Sequence, residues 1–376
     1  MTDVAARTTP GARPPLADSP LGRTIATTDT DIWNDSCAID ELEYAISYGA
    51  VGATANPTIV TDVWKKEPEF WRARVQALAL ERPDATEAEL AWQIVDEMSI
   101  RAAPLLLPAF EAQGGRQGRL STQTDPTLHR STDRMVDQAI HFDGLAPNII
   151  VKFPATIAGI AAMEEATARG ISVNTTVCFS VAQAVAAAEA IERGIARRET
   201  AGHPTVPMGP VVTIMMGRIE DWLRLQAERD GIVSDPAALP WSGIAVFKRA
   251  YGIFRQRGFR ARLLGAAIRH HLHWSELIGG DVGITLPASW QRRFNASSIE
   301  VRPRMDDPVD PAIVADLAAA FPDFVRAYET DGLAIGDFDA FPPTARTIRA
   351  FVASYHELLH QVGDALTPNP DVRPAT

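Results

Sequence analysis

Cysteine occurs only twice, at Cys37 and Cys178, far apart and without metal-type spacing. No disulfide framework is implied, and two reduced thiols in a cytoplasmic protein are the simplest reading. Lysine is nearly as scarce. Four are present, Lys65, Lys66, Lys152 and Lys248, and arginine supplies the rest of the positive charge. Excess positive charge is also absent: a net charge of -11 and a pI near 5.3 speak against a nucleic-acid surface or a polybasic membrane contact. An anionic ligand would have to be met by local arginines. No apolar run approaches the length of a membrane span, and the opening "MTDVAARTTPGARPPLADSP" lacks the apolar core of a secretory signal. It reads as a loose leader over residues 1–24, with a Pro-rich tail over 366–376 at the other end.

What is present is an alternation. Eight short β-type runs can be marked: "TDIWND" (30–35), "AVGATAN" (50–56), "GRLSTQ" (118–123), "NIIVKF" (148–153), "ISVNTT" (171–176), "GPVVTI" (209–214), "RARLLGA" (260–266) and "DVGITL" (281–286). Helical patterns fill the gaps, as in the alanine-rich "FSVAQAVAAAEAIERG", where Gly194 sits at a C-cap position. Eight such β/α units favour an α/β fold of the closed (β/α)8 barrel type over an open sheet. The gap between the second and third runs is too long for one helix and is expected to hold several. "DPAIVADLAAAFPDFVRAYETDGL" and "TARTIRAFVASYHELLHQVGDAL" are expected as two C-terminal helices. The second is apolar at Ile348, Phe351, Val352, Tyr355, Leu358 and Leu359. Residues 25–365 therefore read as one barrel domain with extra helices after strand 2 and at the C-terminus.

Active sites of such barrels lie where the strands' carboxyl ends feed the following loops. Here those ends carry Asp35, Asn56, Gln123, Lys152, Asn174, Thr176 and Thr213, with Arg218 and Arg269 just beyond the sixth and seventh strands. One such residue would mean little, since Asp, Asn and Thr are ordinary helix N-caps; together they point to one crevice. Lys152 closes the β-branched run Ile149–Val151, typical of a strand buried on both faces. An amine held there has a depressed pKa and can attack a carbonyl as a neutral nucleophile, forming a Schiff base. Asp35, the one carboxylate of the set, could take the proton from a hydroxyl whose neighbouring carbon-carbon bond breaks. Asn56 and Asn174 could hold hydroxyls of a polyol, and Thr176 a water.

The segments "ATANPTIV", "LSTQTDP", "IIVKFPATIAGIAAMEEATARGISVNTTVCFSVAQAVAAAEA", "MGRIEDW" and "LLGAAIRH" resemble the transaldolase family, in that family's order, from about residue 30 to 290. The resemblance implies that Lys152 is the Schiff-base lysine and that Asp35 is the acid/base. It further implies that Asn56 and Asn174 bind a dihydroxyacetone moiety, that Thr176 binds the catalytic water, and that Arg218 and Arg269 bind substrate phosphate. It also implies carbohydrate metabolism, with the pentose phosphate pathway as a setting, sugar or sugar-phosphate substrates, and no cofactor. Three positions depart from the family. Gln123 stands where a glutamate is usual, and glutamine can orient a water but cannot take its proton. Ala267 replaces a phosphate-binding serine, and Thr213 replaces a serine but keeps the hydroxyl. An aldolase acting on a modified sugar is therefore a second reading, and a non-catalytic sugar-binding barrel a third. A homo-oligomer stays open.

Other motifs read as structural. In "RHHLHW", His270, His271 and His273 have no carboxylate or cysteine at ligand spacing in the sequence, so no metal is expected and a polar helix face is the simpler reading. The "GGRQGR" loop lacks the strand-before, helix-after context of a nucleotide loop and reads as a turn. Cys178, just past Thr176, reads as a buried inert thiol.

Overall fold

The computed structural model describes residues 18–205, 207–367 and 370–371. Eight parallel strands close into a barrel in chain order: β1 (Asp31–Asn34), β2 (Gly52–Thr54), β3 (Arg119–Gln123), β4 (Ile149–Pro154), β5 (Val173–Cys178), β6 (Val211–Met215), β7 (Arg262–Ala266) and β8 (Gly283–Leu286). Four register positions between β1 and β8 seal it. Each expected strand is present, with ends shifted by about two residues at most.

Side chains alternate between the two faces of a strand, so residues two apart share a face. Trp33, Ile150, Val211 and Leu264, from four different strands, meet in a small apolar cluster separate from the main core, which marks the inward face. Gly52 makes room for it, since a Cβ there would lie 2.4 Å from the indole of Trp33. Asp35, Lys152 and Thr213 each lie two residues beyond a member of this cluster and so point inward one layer nearer the mouth. Register places Gln123 and Asn174 on either side of Lys152, and Thr176 beside Pro154, on the same inward face.

Below the apolar layer the floor is ionic. Arg262 is mostly buried and bonds Asp31 at 2.6 Å and Asp281 at 2.8 Å. Gln117 also reaches Asp31, at 2.6 Å. The "GGRQGR" segment is a turn at this end, where Arg116 pairs with Asp281 at 2.6 Å.

The long gap after β2 holds three helices, Pro57–Lys66, Pro68–Glu81 and Glu87–Ala112. The first of the two expected C-terminal helices is broken into Pro311–Ala320 and Pro322–Tyr328. Pro322 has no amide hydrogen to continue the ladder and disfavours helical backbone at Phe321, which is extended at φ -128° and ψ 101°. The last helix, Pro342–Leu366, buries Ile348, Phe351, Tyr355 and Leu358, with Val352 and Leu359 partly covered. Gly194 is not a C-cap: the helix runs on from Val181 to Thr200. Its hydrogen side chain admits the neighbouring helix Ile157–Ala168, where a Cβ would lie 2.6 Å from the Glu164 carbonyl oxygen and from Thr167 Cβ. Residues 1–17 of the expected leader lie outside the described residues, as do 368–369 and 372–376 of the tail. The ordered fold begins before the expected boundary at residue 25, since a helix spans Pro20–Thr27 with Leu21 fully buried.

Candidate active site

Lys152 is 4% exposed on β4. Burial pulls its amine down to about 8 from 10.5; Asp35 opposes that fall and Arg218 adds to it. No ion pair among the described residues ties the ammonium down. The amine expected from the sequence is therefore held inside the barrel, within the electrostatic reach of a carboxylate.

Asp35 follows β1 directly, and its carboxylate accepts a short hydrogen bond from the Thr54 hydroxyl. Thr54 in turn meets Thr285 of β8 at 3.2 Å. The carboxylate is thus oriented by a chain across three adjacent strands. A second chain runs through Asn174, whose amide donates to Ser121 Oγ at 2.9 Å while its oxygen accepts from Thr213 Oγ1 at 2.7 Å. Both ends of Asn174 are fixed, and one amide hydrogen remains available. The methyl that threonine adds at position 213 is accommodated with the hydroxyl still directed at Asn174.

Asn56 takes the ordinary cap role as well as its place at the rim. Its side-chain oxygen accepts from the Ile59 amide at 3.0 Å and starts the helix Pro57–Lys66. Gln123 is buried, and its side-chain oxygen meets no donor among the described residues. Thr176 is fully buried, and among the described residues only the Met215 sulfur, at 3.7 Å, offers its hydroxyl a weak acceptor. It sits at an irregularity, because the β5–β6 register shifts between Thr175 and Cys178. Val177 there is left-handed at φ 51°, a costly backbone for a β-branched residue. Cys178 is buried, which raises its pKa and keeps it a thiol.

The arginines gather at the mouth beyond β6 and β7. Arg218 lies in the first turn of the helix Met216–Asp230, 5.8 Å from the centre of the Phe351 ring on the C-terminal helix. Burial holds it below the ordinary arginine range, reinforced by the guanidinium groups of Arg269 and Arg346. Arg269 is more exposed and is gripped by Asp221, with contacts of 2.6 and 3.0 Å. Arg346, on the C-terminal helix, reaches toward the Asp221 carbonyl at 3.5 Å. It was not among the strand-end candidates, because it follows no strand. Its only sequence signal is an arginine near the start of a C-terminal helix. Ala267 is half-buried and left-handed at φ 62°, and brings no hydroxyl to this side.

"RHHLHW" is a loop followed by a single helical turn, Leu272–Ser275, rather than one helix face. The fold also supplies the carboxylate that sequence spacing lacks: Glu220, on the helix after β6, bonds His270 Nε2 at 2.9 Å and lies 3.6 Å from His273 Nε2. Among the described residues no helix is long and apolar enough to cross a membrane.

Sequence comparison adds a family. The model of the transaldolase/fructose-6-phosphate aldolase family matches residues 32–361. A relative from Thiobacillus denitrificans named transaldolase is 28% identical over 339 residues, 84% of this chain and 90% of its own. Transaldolases from Mycolicibacterium smegmatis and Mycobacterium ulcerans are 28% and 29% identical over 249 and 240 residues. Those matches cover 64% and 62% of this chain and 66% and 64% of the relatives, just under two thirds of their length.

Proposed function

Because the chain belongs to the transaldolase/fructose-6-phosphate aldolase family, we propose that it forms a Schiff base between Lys152 and a ketose, preferably a ketose phosphate, and transfers a dihydroxyacetone unit to an aldose. The observation that carries this reading is a single amine buried at the centre of the barrel mouth with its pKa pulled to about 8. At pH 7.5 roughly a quarter of such an amine is neutral, against about one part in a thousand for an ordinary lysine.

Neutral Nζ adds to the ketose carbonyl, and the carbinolamine loses water to give an iminium. Gln123 and Thr176 orient that water. Asp35 accepts the proton of the hydroxyl on the carbon beyond the bond to be cut. The carbon-carbon bonding pair moves into the iminium, leaving a three-carbon enamine on Lys152 while an aldose departs. Asn174 and Asn56 hold the hydroxyls of the retained fragment. The enamine then attacks the acceptor aldehyde, Asp35 returns the proton, and water releases the new ketose. Arg218, Arg269 and Arg346 form the anion side that holds a terminal phosphate through charge-assisted hydrogen bonds. A neutral Gln123 and the missing hydroxyl at Ala267 favour a second reading, an aldolase that releases the three-carbon unit from a modified sugar.

Incubation with ketose donors and borohydride tests the shared step. The expected result is a reduced adduct on the Lys152 peptide by mass spectrometry. A folded protein that gives no adduct with any donor would support the non-catalytic sugar-binding reading, and an adduct on Lys248 would move the nucleophile. Product analysis with and without an aldose acceptor then separates transfer from release.

A further inference from the structure

The helix Met216–Asp230 and the segment after β7 are joined by three side chains that the sugar chemistry does not use. Glu220, His270 and His273 each direct one ligating atom into a space where all three atoms lie within 4.8 Å of one another. We propose that they form a site for one divalent transition-metal ion of the zinc class, clipping the helix to the loop beside the arginine cluster.

Two of the three separations bracket what an ion needs. A tetrahedral ion with ligand bonds of about 2.0–2.1 Å sets its ligands roughly 3.3–3.4 Å apart. Glu220 Oε2 lies 2.9 Å from His270 Nε2 and 3.6 Å from His273 Nε2, on either side of that value. A small displacement of one ring equalises them.

A ring nitrogen of the cluster is left without a partner among the described residues. His273 is fully buried, Glu220 is 3% exposed, and His273 Nε2 finds no hydrogen-bond partner among the described residues. An unmet buried nitrogen is unfavourable, and ligation would satisfy it. The other carboxylate oxygen of Glu220 accepts from Arg224 at 2.7 and 3.1 Å, which turns Oε2 toward the rings in the manner of an outer-shell support. His270 remains partly open to solvent, giving the ion an entry path and a position for water. Two imidazoles and one carboxylate suit zinc, cobalt or nickel rather than magnesium or calcium.

Binding reaches the neighbouring arginine. His273 Nδ1 faces the Arg269 amide at 3.2 Å as an acceptor. Ligation through Nε2 moves the ring proton to Nδ1, so this contact is exchanged for the metal bond and the Arg269 loop resettles.

The test uses full-length protein stripped with a chelator and titrated with Co²⁺, then Zn²⁺. The expected result is one equivalent per chain, a visible cobalt band of tetrahedral type that zinc abolishes, and a melting temperature raised by a few degrees at saturating metal. Glu220→Gln and His273→Ala, checked for folding by circular dichroism, should each weaken binding at least tenfold. His356→Ala/His360→Ala, which removes an exposed pair spaced four apart on the C-terminal helix, should change nothing. The cobalt spectrum of the wild type decides the matter even where a variant does not fold. A folded wild type with no cobalt band, binding unaffected by Glu220→Gln and His273→Ala, or binding lost with the exposed pair would each overturn the proposal and leave a hydrogen-bonded cluster.

Discussion

Lys152 carries a tension between stability and chemistry that one substitution can measure. Its amine has an ordinary value of 10.5 in the unfolded chain and about 8 in the fold, so between those values the unfolded state binds more protons and stability rises with pH. The sign is opposite to that of a lysine in a favourable ion pair. The cost of burial is fully present below about pH 8 and is relieved as pH climbs toward 10.5. At about 1.4 kcal/mol per tenfold change in proton affinity it amounts to roughly 3 kcal/mol. Lys152→Met, similar in volume and uncharged, should therefore be more stable than the wild type at pH 7 by up to about 3 kcal/mol, with the gain shrinking above pH 8, while borohydride trapping is lost. Urea unfolding at pH 7 and 9.5 reads it. A variant less stable at both pH values would mean that the ammonium is paired in solution. Gln123 is the other informative residue. Its oxygen, without a donor among the described residues, can accept from a water but cannot deprotonate it. Gln123→Glu should raise the rate of adduct formation and release with ketose phosphates by about a hundredfold, the lower end of acid/base contributions. A fall with all donors would indicate a pocket built around the amide's hydrogen-bond donor, and favour the modified-sugar reading.

At the scale of elements, strands and helices differ in how much the sequence discloses. Eight short strand-like runs alternating with helical patterns marked the strands, and the ends of those runs carry Asp35, Asn56, Gln123, Lys152, Asn174, Thr176 and Thr213. That is why most of the candidate site was legible: where a strand ends can be found by counting along the chain. Helices defeat such counting, because which side chain reaches the mouth depends on where the helix docks. Arg346 joins Arg218 and Arg269 only because the helix Pro342–Leu366 crosses the barrel, and Glu220 meets two histidines from a different unit for the same reason. The break at Pro322 and the continuation through Gly194 are cases where one residue's local preference had to be weighed against packing. The C-terminal helix should accordingly tune binding rather than chemistry. Arg346→Ala is expected to raise KM for a phosphorylated donor about five- to tenfold with little change in kcat, and to leave an unphosphorylated donor unaffected. Steady-state kinetics on the two donors separates this from a folding defect, which would lower both.

The whole molecule divides along the barrel axis into a mouth that gathers the candidate site residues and a floor of ion-paired ones. Arg262, Asp31, Asp281, Arg116 and Gln117 form the floor, and nothing in the proposed chemistry reaches them. Arg262→Ala would leave the buried Asp31 without its cation. Such losses cost about 3–5 kcal/mol. Thermal or urea denaturation should show that loss while the Lys152 adduct still forms in the folded fraction. Loss of trapping in fully folded protein would contradict the separation of the two ends.

The Trp33 layer has a kinetic meaning. With an indole seated across the barrel and an ion-pair lattice beneath it, the well is blind, and whatever enters by the mouth must leave by the mouth. Under the proposed function, a departing aldose and an arriving one would use the same passage and the same arginines in turn. For the proposed transfer this imposes a shuttle: the first product vacates before the second substrate docks, with the three-carbon fragment waiting on Lys152. Initial rates measured against donor at several fixed acceptor concentrations should give parallel double-reciprocal lines, and excess acceptor should inhibit by competing with donor. Intersecting lines would require both sugars in the well at once, and hence a second way in.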